Sequence, residues 1–87
     1  MKTTFTVHMV APMTKSKMLT KEVDMPFAIS KGMGVSLNGW DHTKDILTIS
    51  ANEDGSVEVL LEEEQFADGE QLAAMVKYYV KQGWKRY

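Results

Sequence analysis

The chain contains no cysteine. This excludes disulfide staples, thiolate zinc sites, iron–sulfur clusters and cysteine nucleophiles. It also excludes a small disulfide-rich secreted scaffold and fits a reducing compartment. Long apolar runs are missing too, and none approaches the ~20 residues of a membrane span. Phe5–Ala11 is short, interrupted by His8 and followed by Pro12, so it does not read as a signal peptide. The expected location is cytoplasmic, with no membrane partner. No repeat, low-complexity tract or linker divides the sequence, so residues 1–87 are expected to form a single domain.

Reactive constellations are equally scarce. The two histidines are His8 and His42. His8 falls on the outer face of an expected strand, where a lone histidine is ordinarily a surface residue. His42 lies near Asp41 and Asp45, and one carboxylate there can orient an imidazole. A metal centre needs three or more ligands from fixed elements, so turn or cap formation is the stronger reading of these aspartates. An enzyme using His42 with Asp41 or Asp45 is the minority expectation. Lys31-Gly32-Met33-Gly34 is neither a Walker loop nor a dinucleotide fingerprint. Neither metal nor cofactor is expected, and the chain is expected not to be an enzyme.

What is present is the ordinary balance of a folded globular domain, with 44% hydrophobic and 25% charged residues. At 87 residues one small core must do most of the stabilising. The formal net charge is −2, from 12 acids and 10 bases. The charges are sorted along the chain. Residues 1–51 carry Lys2, Lys15, Lys17, Lys21, Lys31 and Lys44 against Glu22, Asp24, Asp41 and Asp45, a net +2. Residues 52–70 carry eight acids and no base, a net −8. Residues 71–87 carry Lys77, Lys81, Lys85 and Arg86 and no acid, a net +4.

Periodicity gives the elements. Phe5, Val7, Met9 and Ala11 alternate on one face of a strand. Pro12–Lys17 reads as a hairpin loop. Residues 18–27 alternate again, with Leu19, Val23, Met25 and Phe27 inward. Lys21 breaks that face, as an edge residue or a long stem lying across apolar surface. Pro26 favours an edge or a strand end. Val35 and Leu37 lead into Asn38-Gly39, a type I′ hairpin signal, with Trp40 on the return. Leu47, Ile49 and Ala51 mark one strand, Asn52–Gly55 a turn, and Val57, Val59 and Leu61 the next strand. Leu72, Met75, Val76 and Tyr79 form a helical stripe. Asp68 with Gln71 has capping-box spacing, Gly83 suits C′ and Trp84 suits C″, folded back on Tyr79. The expected fold is α+β: an antiparallel β-meander of four to five strands with a single C-terminal α-helix packed on one face.

Two kinds of surface remain as candidates for function. A protein-interaction surface is suggested by loop methionines, Met13, Met18 and Met33, because methionine adapts to irregular apolar partners. The acidic stretch supplies the rest: Glu53, Asp54, Glu58, Glu62, Glu63 and Glu64, a negative edge for a basic partner. The alternative is nucleic-acid binding through Lys81, Trp84, Lys85, Arg86 and Tyr87, where aromatics interleave with bases. Whole-chain acidity disfavours it. The expectation is a small non-enzymatic protein-binding or regulatory module whose partner is an unidentified protein or a second copy of itself. Its motif-poor, cysteine-free character suits an accessory protein of a bacterium or bacteriophage.

Overall fold

The structure, a computed structural model, describes residues 2–24, 34–35 and 44–86. Its elements are β1 (Lys2–Ala11), β2 (Thr14–Asp24), β3 (Gly34–Val35), β4 (Lys44–Ala51), β5 (Val57–Leu61), β6 (Glu64–Gln65), α1 (Gly69–Lys81) and β7 (Lys85–Arg86). The expected readings of Met25, Pro26, Phe27 and the Asn38-Gly39 turn with Trp40 lie outside the described residues, as do Met33, Asp41, His42 and Tyr87.

The sheet is mixed, which corrects the antiparallel meander. Its strand order is β3-β4-β5-β1-β2-β7. The β1–β2 and β4–β5 hairpins are antiparallel, but they join through a parallel pair, β1 with β5, in which Thr3 faces Val57 and Phe5 faces Val59. The reason lies in which strands are most apolar. Thr3, Phe5, Val7 and Met9 on β1, with Val59 and Leu61 on β5, are buried to within 1%. Strands with such faces gain most from central positions. Lysine-bearing β2 and the more exposed β4 take the outside.

Two short strands escape sequence reading because two residues carry no periodicity. β6 continues β5 along the same edge of β1: the paired positions differ by 54 up to Leu60 and Thr6, and by 55 at Glu64 and Met9. One residue is therefore extruded around Glu62–Glu63. β7 pairs antiparallel with β2, Leu19 opposite Arg86 and Thr20 opposite Lys85.

The first hairpin is tighter than the expected loop. β2 starts at Thr14, leaving Pro12 and Met13 as the turn. Proline fixes a negative φ at the first central position, so the positive φ falls on Met13, at 55°. Met13 is wholly exposed, so its side chain offsets none of this strain. Met13→Gly is expected to stabilise the protein by about 0.5–1 kcal/mol, the left-handed penalty less the extra chain entropy of glycine. Urea unfolding checks it; an unchanged or lowered midpoint would contradict the strain.

A bulge follows. Met9 pairs with Lys17 but Ala11 with Thr14, so Lys15 and Ser16 together oppose Val10. This puts Thr14 and Lys17 on the same side of the sheet, the side that α1 covers. A second bulge lies between Ile46 and Thr48. It exchanges the expected inward residue: Ile46 is buried, whereas Leu47 is 46% exposed. The turn after β4 meets expectation. Gly55 NH donates to the Asn52 carbonyl at 3.0 Å, and Asn52 NH donates to the Ser56 carbonyl at 2.9 Å.

Helix α1 lays Leu72, Val76 and Tyr79 on the sheet against Phe5, Val7, Met9 and Leu19. Asp68 Oδ1 accepts the Gln71 NH at 2.8 Å, as its N-cap position predicts. The return bond goes one residue further out: Gln71 Oε1 accepts from Ala67 NH at 3.4 Å. The C-terminus is a Schellman motif. Trp84 NH donates to the Tyr79 carbonyl and Gly83 NH to the Val80 carbonyl, both at 3.1 Å. Gly83 takes φ +99°, a conformation open chiefly to glycine. Trp84 then packs on Tyr79 with ring centroids 5.3 Å apart.

Lys21, the residue that interrupts the inward face of β2, completes this helix end. Its Nζ donates to the Gln82 carbonyl at 2.8 Å, placing a cation at the negative pole of the helix. Lys21→Met keeps the stem and removes the charge and the bond. It is expected to cost about 1 kcal/mol, less than a fully buried charged hydrogen bond because the site is only part-buried. Thermal unfolding of the variant beside Lys21→Arg measures this. Equal stability of Lys21→Met and wild type would show that the stem alone matters.

Candidate binding surface

The acidic stretch is not one edge. Glu53 and Asp54 occupy the turn between β4 and β5, while Glu62 and Glu63 follow the far end of β5. A strand rises about 3.3 Å per residue, so the five residues of β5 hold the two groups on the order of 20 Å apart. Several of the acids already have local work. Asp54 Oδ1 accepts from Ser56 NH at 2.9 Å and from Ser56 Oγ at 2.6 Å. The Ser56 hydroxyl and amide hold the Asp54 carboxyl below its ordinary range, since both bond the charged form. Glu64 is half-buried beside the helix, and its Oε1 accepts from the Tyr79 hydroxyl at 3.0 Å. It is a strut between β6 and α1 rather than a partner-facing charge. Glu58 is exposed on the sheet face away from α1, opposite Thr4 and Ser50.

The loop methionines do not gather either. Met13 stands at the tip of the first hairpin, and Met18 is half-buried opposite His8 on the sheet face away from α1. The C-terminal candidates are divided by the alternation of β7. Lys85, opposite Thr20, lines a depression with Thr4, Glu22 and Gly83. Arg86, opposite Leu19, turns to the helix side. Lys81 is exposed in the last turn of α1. Trp84 is 2% exposed, sealed between helix end and sheet, so its indole is not available to stack on a base. Burying that ring is worth more than any exposed use of it in a core this small.

The residues that do converge lie between α1 and β2. Two adjoining depressions, of about 380 and 210 Å³, share Lys17, Val76 and Arg86. Lys15 enters the first and Lys77 the second, so four cations meet around an aliphatic floor of Leu19, Leu72, Ala73 and Val76. The elements explain the gathering. Alternation with Leu19 puts Lys17 on the helix side, β7 brings Arg86 beside Leu19, and Lys77 sits one turn after Ala73. None of the four makes an ion pair or side-chain hydrogen bond among the described residues, where Lys2 and Glu22 form a salt bridge at 3.6 Å.

Beside this cleft runs the outer edge of β2. β7 covers it at Leu19 and Thr20, and no other strand among the described residues pairs with Thr14–Met18 on that side. The cleft is not legible in the sequence, where Lys15 and Lys17 fall in the expected hairpin loop. No spacing rule connects either of them to Lys77 or Arg86.

Among the described residues no group of His, Asp and Glu has the geometry to hold a metal ion. No described helix is long and apolar enough to cross a membrane. No protein-family model, curated protein or solved structure matches this chain. The functional reading therefore rests on the surface itself.

Proposed function

We propose that this chain is a non-enzymatic protein-binding module whose contact face is the cleft between α1 and β2. The observation that carries the reading is the convergence of Lys15, Lys17, Lys77 and Arg86, without carboxylate partners among the described residues, on an aliphatic floor beside a strand edge that no described strand pairs. Cations around an apolar floor favour an acidic protein surface, with the charges setting on-rate and selectivity. The methionine and acidic surfaces first suggested by the sequence have less support, because their members are dispersed or engaged within the fold. Nucleic-acid binding is weakened by the burial of Trp84, and among the described residues the cleft is lined by no aromatic ring other than the imidazole of His8.

Charge reversal tests the assignment. A photo-crosslinking residue at exposed position 77 should give a specific protein adduct in a lysate of the source organism, weakened by salt. Lys17→Glu/Arg86→Glu should remove that adduct, by about tenfold or more if the pair contributes at least 1.4 kcal/mol. Adducts identical in the two proteins would refute the cleft as the contact face. Light scattering on the same samples separates a foreign partner from a second copy.

A further inference from the structure

Resting on that reading, we infer that the open edge of β2 receives an extended acidic segment as an added strand, its carboxylates facing Lys17, Lys77 and Arg86. Three observations lead to it. The edge already accepts a strand, since Lys85–Arg86 pairs with Leu19–Thr20. Thr14–Met18 continues that edge for five residues, about 17 Å at 3.4 Å per residue, length enough for a short guest strand. The side chains of any such guest alternate. Those directed to the helix side enter the space ringed by Lys17, Lys77 and Arg86, and those directed away run beside Met18.

Strand addition uses backbone hydrogen bonds for affinity and alternate side chains for selection. Both halves are present: an edge that no described strand pairs, for the backbone, and cations for every second side chain. A polynucleotide makes no use of a strand edge, and it would meet aliphatic groups where it needs stacking platforms. A second copy of this chain is the weaker occupant, because the acids of its 53–64 stretch are divided among the two ends and the outer face of β5, where Glu58 stands inside the sheet, and Glu64 is bonded to Tyr79.

The probe is a short fluorescein-tagged peptide of alternating glutamate and threonine, added to the full chain at low salt. Fluorescence anisotropy should report binding that weakens as salt rises, and backbone amide signals of Thr14–Met18 should shift. Two further peptides keep every charge but carry N-methyl groups on one or the other alternate set of backbone nitrogens. One of them should bind at least about tenfold more weakly, the equivalent of 1.4 kcal/mol, because alternate residues of an added strand face β2. Lys17→Glu/Arg86→Glu, with its fold checked by circular dichroism, should lose the parent peptide. Lys77→Glu, on an exposed helix position, serves if that double variant does not fold.

Undiminished binding of both methylated peptides would overturn strand addition while leaving a charge-based protein contact in place. No binding of the parent peptide would overturn the inference, and the crosslinking experiment would then decide the broader reading by itself. A single-stranded DNA oligonucleotide that competes with the peptide at equal or lower concentration would overturn it in favour of a polyanion site. Charge-dependent dimers in sedimentation would overturn it in favour of self-association.

Discussion

Trp84→Ala is expected to lower the melting temperature by on the order of 20 °C. The indole is 2% exposed and packs on Tyr79 at the point where the chain leaves the helix. Truncating a buried tryptophan costs about 3–5 kcal/mol, through lost transfer energy and the cavity left behind. In a domain of this size each kcal/mol shifts the melting temperature by roughly 4–8 °C. A second effect adds to the first. Trp84 is the C″ residue whose amide closes the helix on the Tyr79 carbonyl, so its side chain and backbone fasten the same place. Hydrogen exchange at Gln82, Gly83 and Trp84 should therefore accelerate more than exchange in β1. Trp84→Phe retains an aromatic on Tyr79 and should recover most of the loss. A melting temperature for Trp84→Ala within a few degrees of wild type would mean that the C-terminal anchor contributes little.

Phe5→Ala is expected to have a comparable cost, about 3–5 kcal/mol, but with a different distribution. Phe5 is fully buried on the central strand, opposite Lys21 of β2 and Val59 of β5. It thus packs both hairpins at once. Its removal should loosen the β1–β5 seam, seen as faster exchange at Val57–Leu60 as well as a lowered urea midpoint. Thr6→Ala, the next residue but on the face away from α1, should change stability by no more than about 0.5 kcal/mol. The contrast between neighbours is the measurement that matters. Equal effects of the two substitutions would mean that the helix-covered face is not the dominant core.

These predictions rest on features that differ in how plainly the sequence carried them. The helix was legible almost residue by residue, because its stripe, its caps and the tryptophan after Gly83 are all local signals. The inward set of β1 was equally legible from alternation. What was not legible is what long-range pairing decides. Alternation identifies a face but not a neighbour, so nothing in the pattern of Val57, Val59 and Leu61 told that β5 would lie parallel to β1. Bulges shift parity by one residue without a marker, which is how Ile46 took the place expected for Leu47. The candidate surface suffered most. Charge density along the chain suggested the acidic stretch, but a strand separates its ends and a tyrosine engages Glu64. The cations that do converge come from the first hairpin, the helix and the last two-residue strand.

The parallel seam between β1 and β5 also has a consequence for the order of events at the ribosome. Thr3 and Val57 are 54 positions apart, so the most apolar strand is made early and its final neighbour late. The first hairpin can close as soon as β2 has emerged, yet β1 then has one bare flank until β5 arrives. During that interval the nascent chain exposes a strand of alternating large apolar residues, the kind of edge that invites unwanted pairing. At a synthesis rate of roughly 5–20 residues per second the interval lasts a few seconds. For this protein the vulnerable moment is thus set by the order in which its strands are made, and slowing translation would lengthen it.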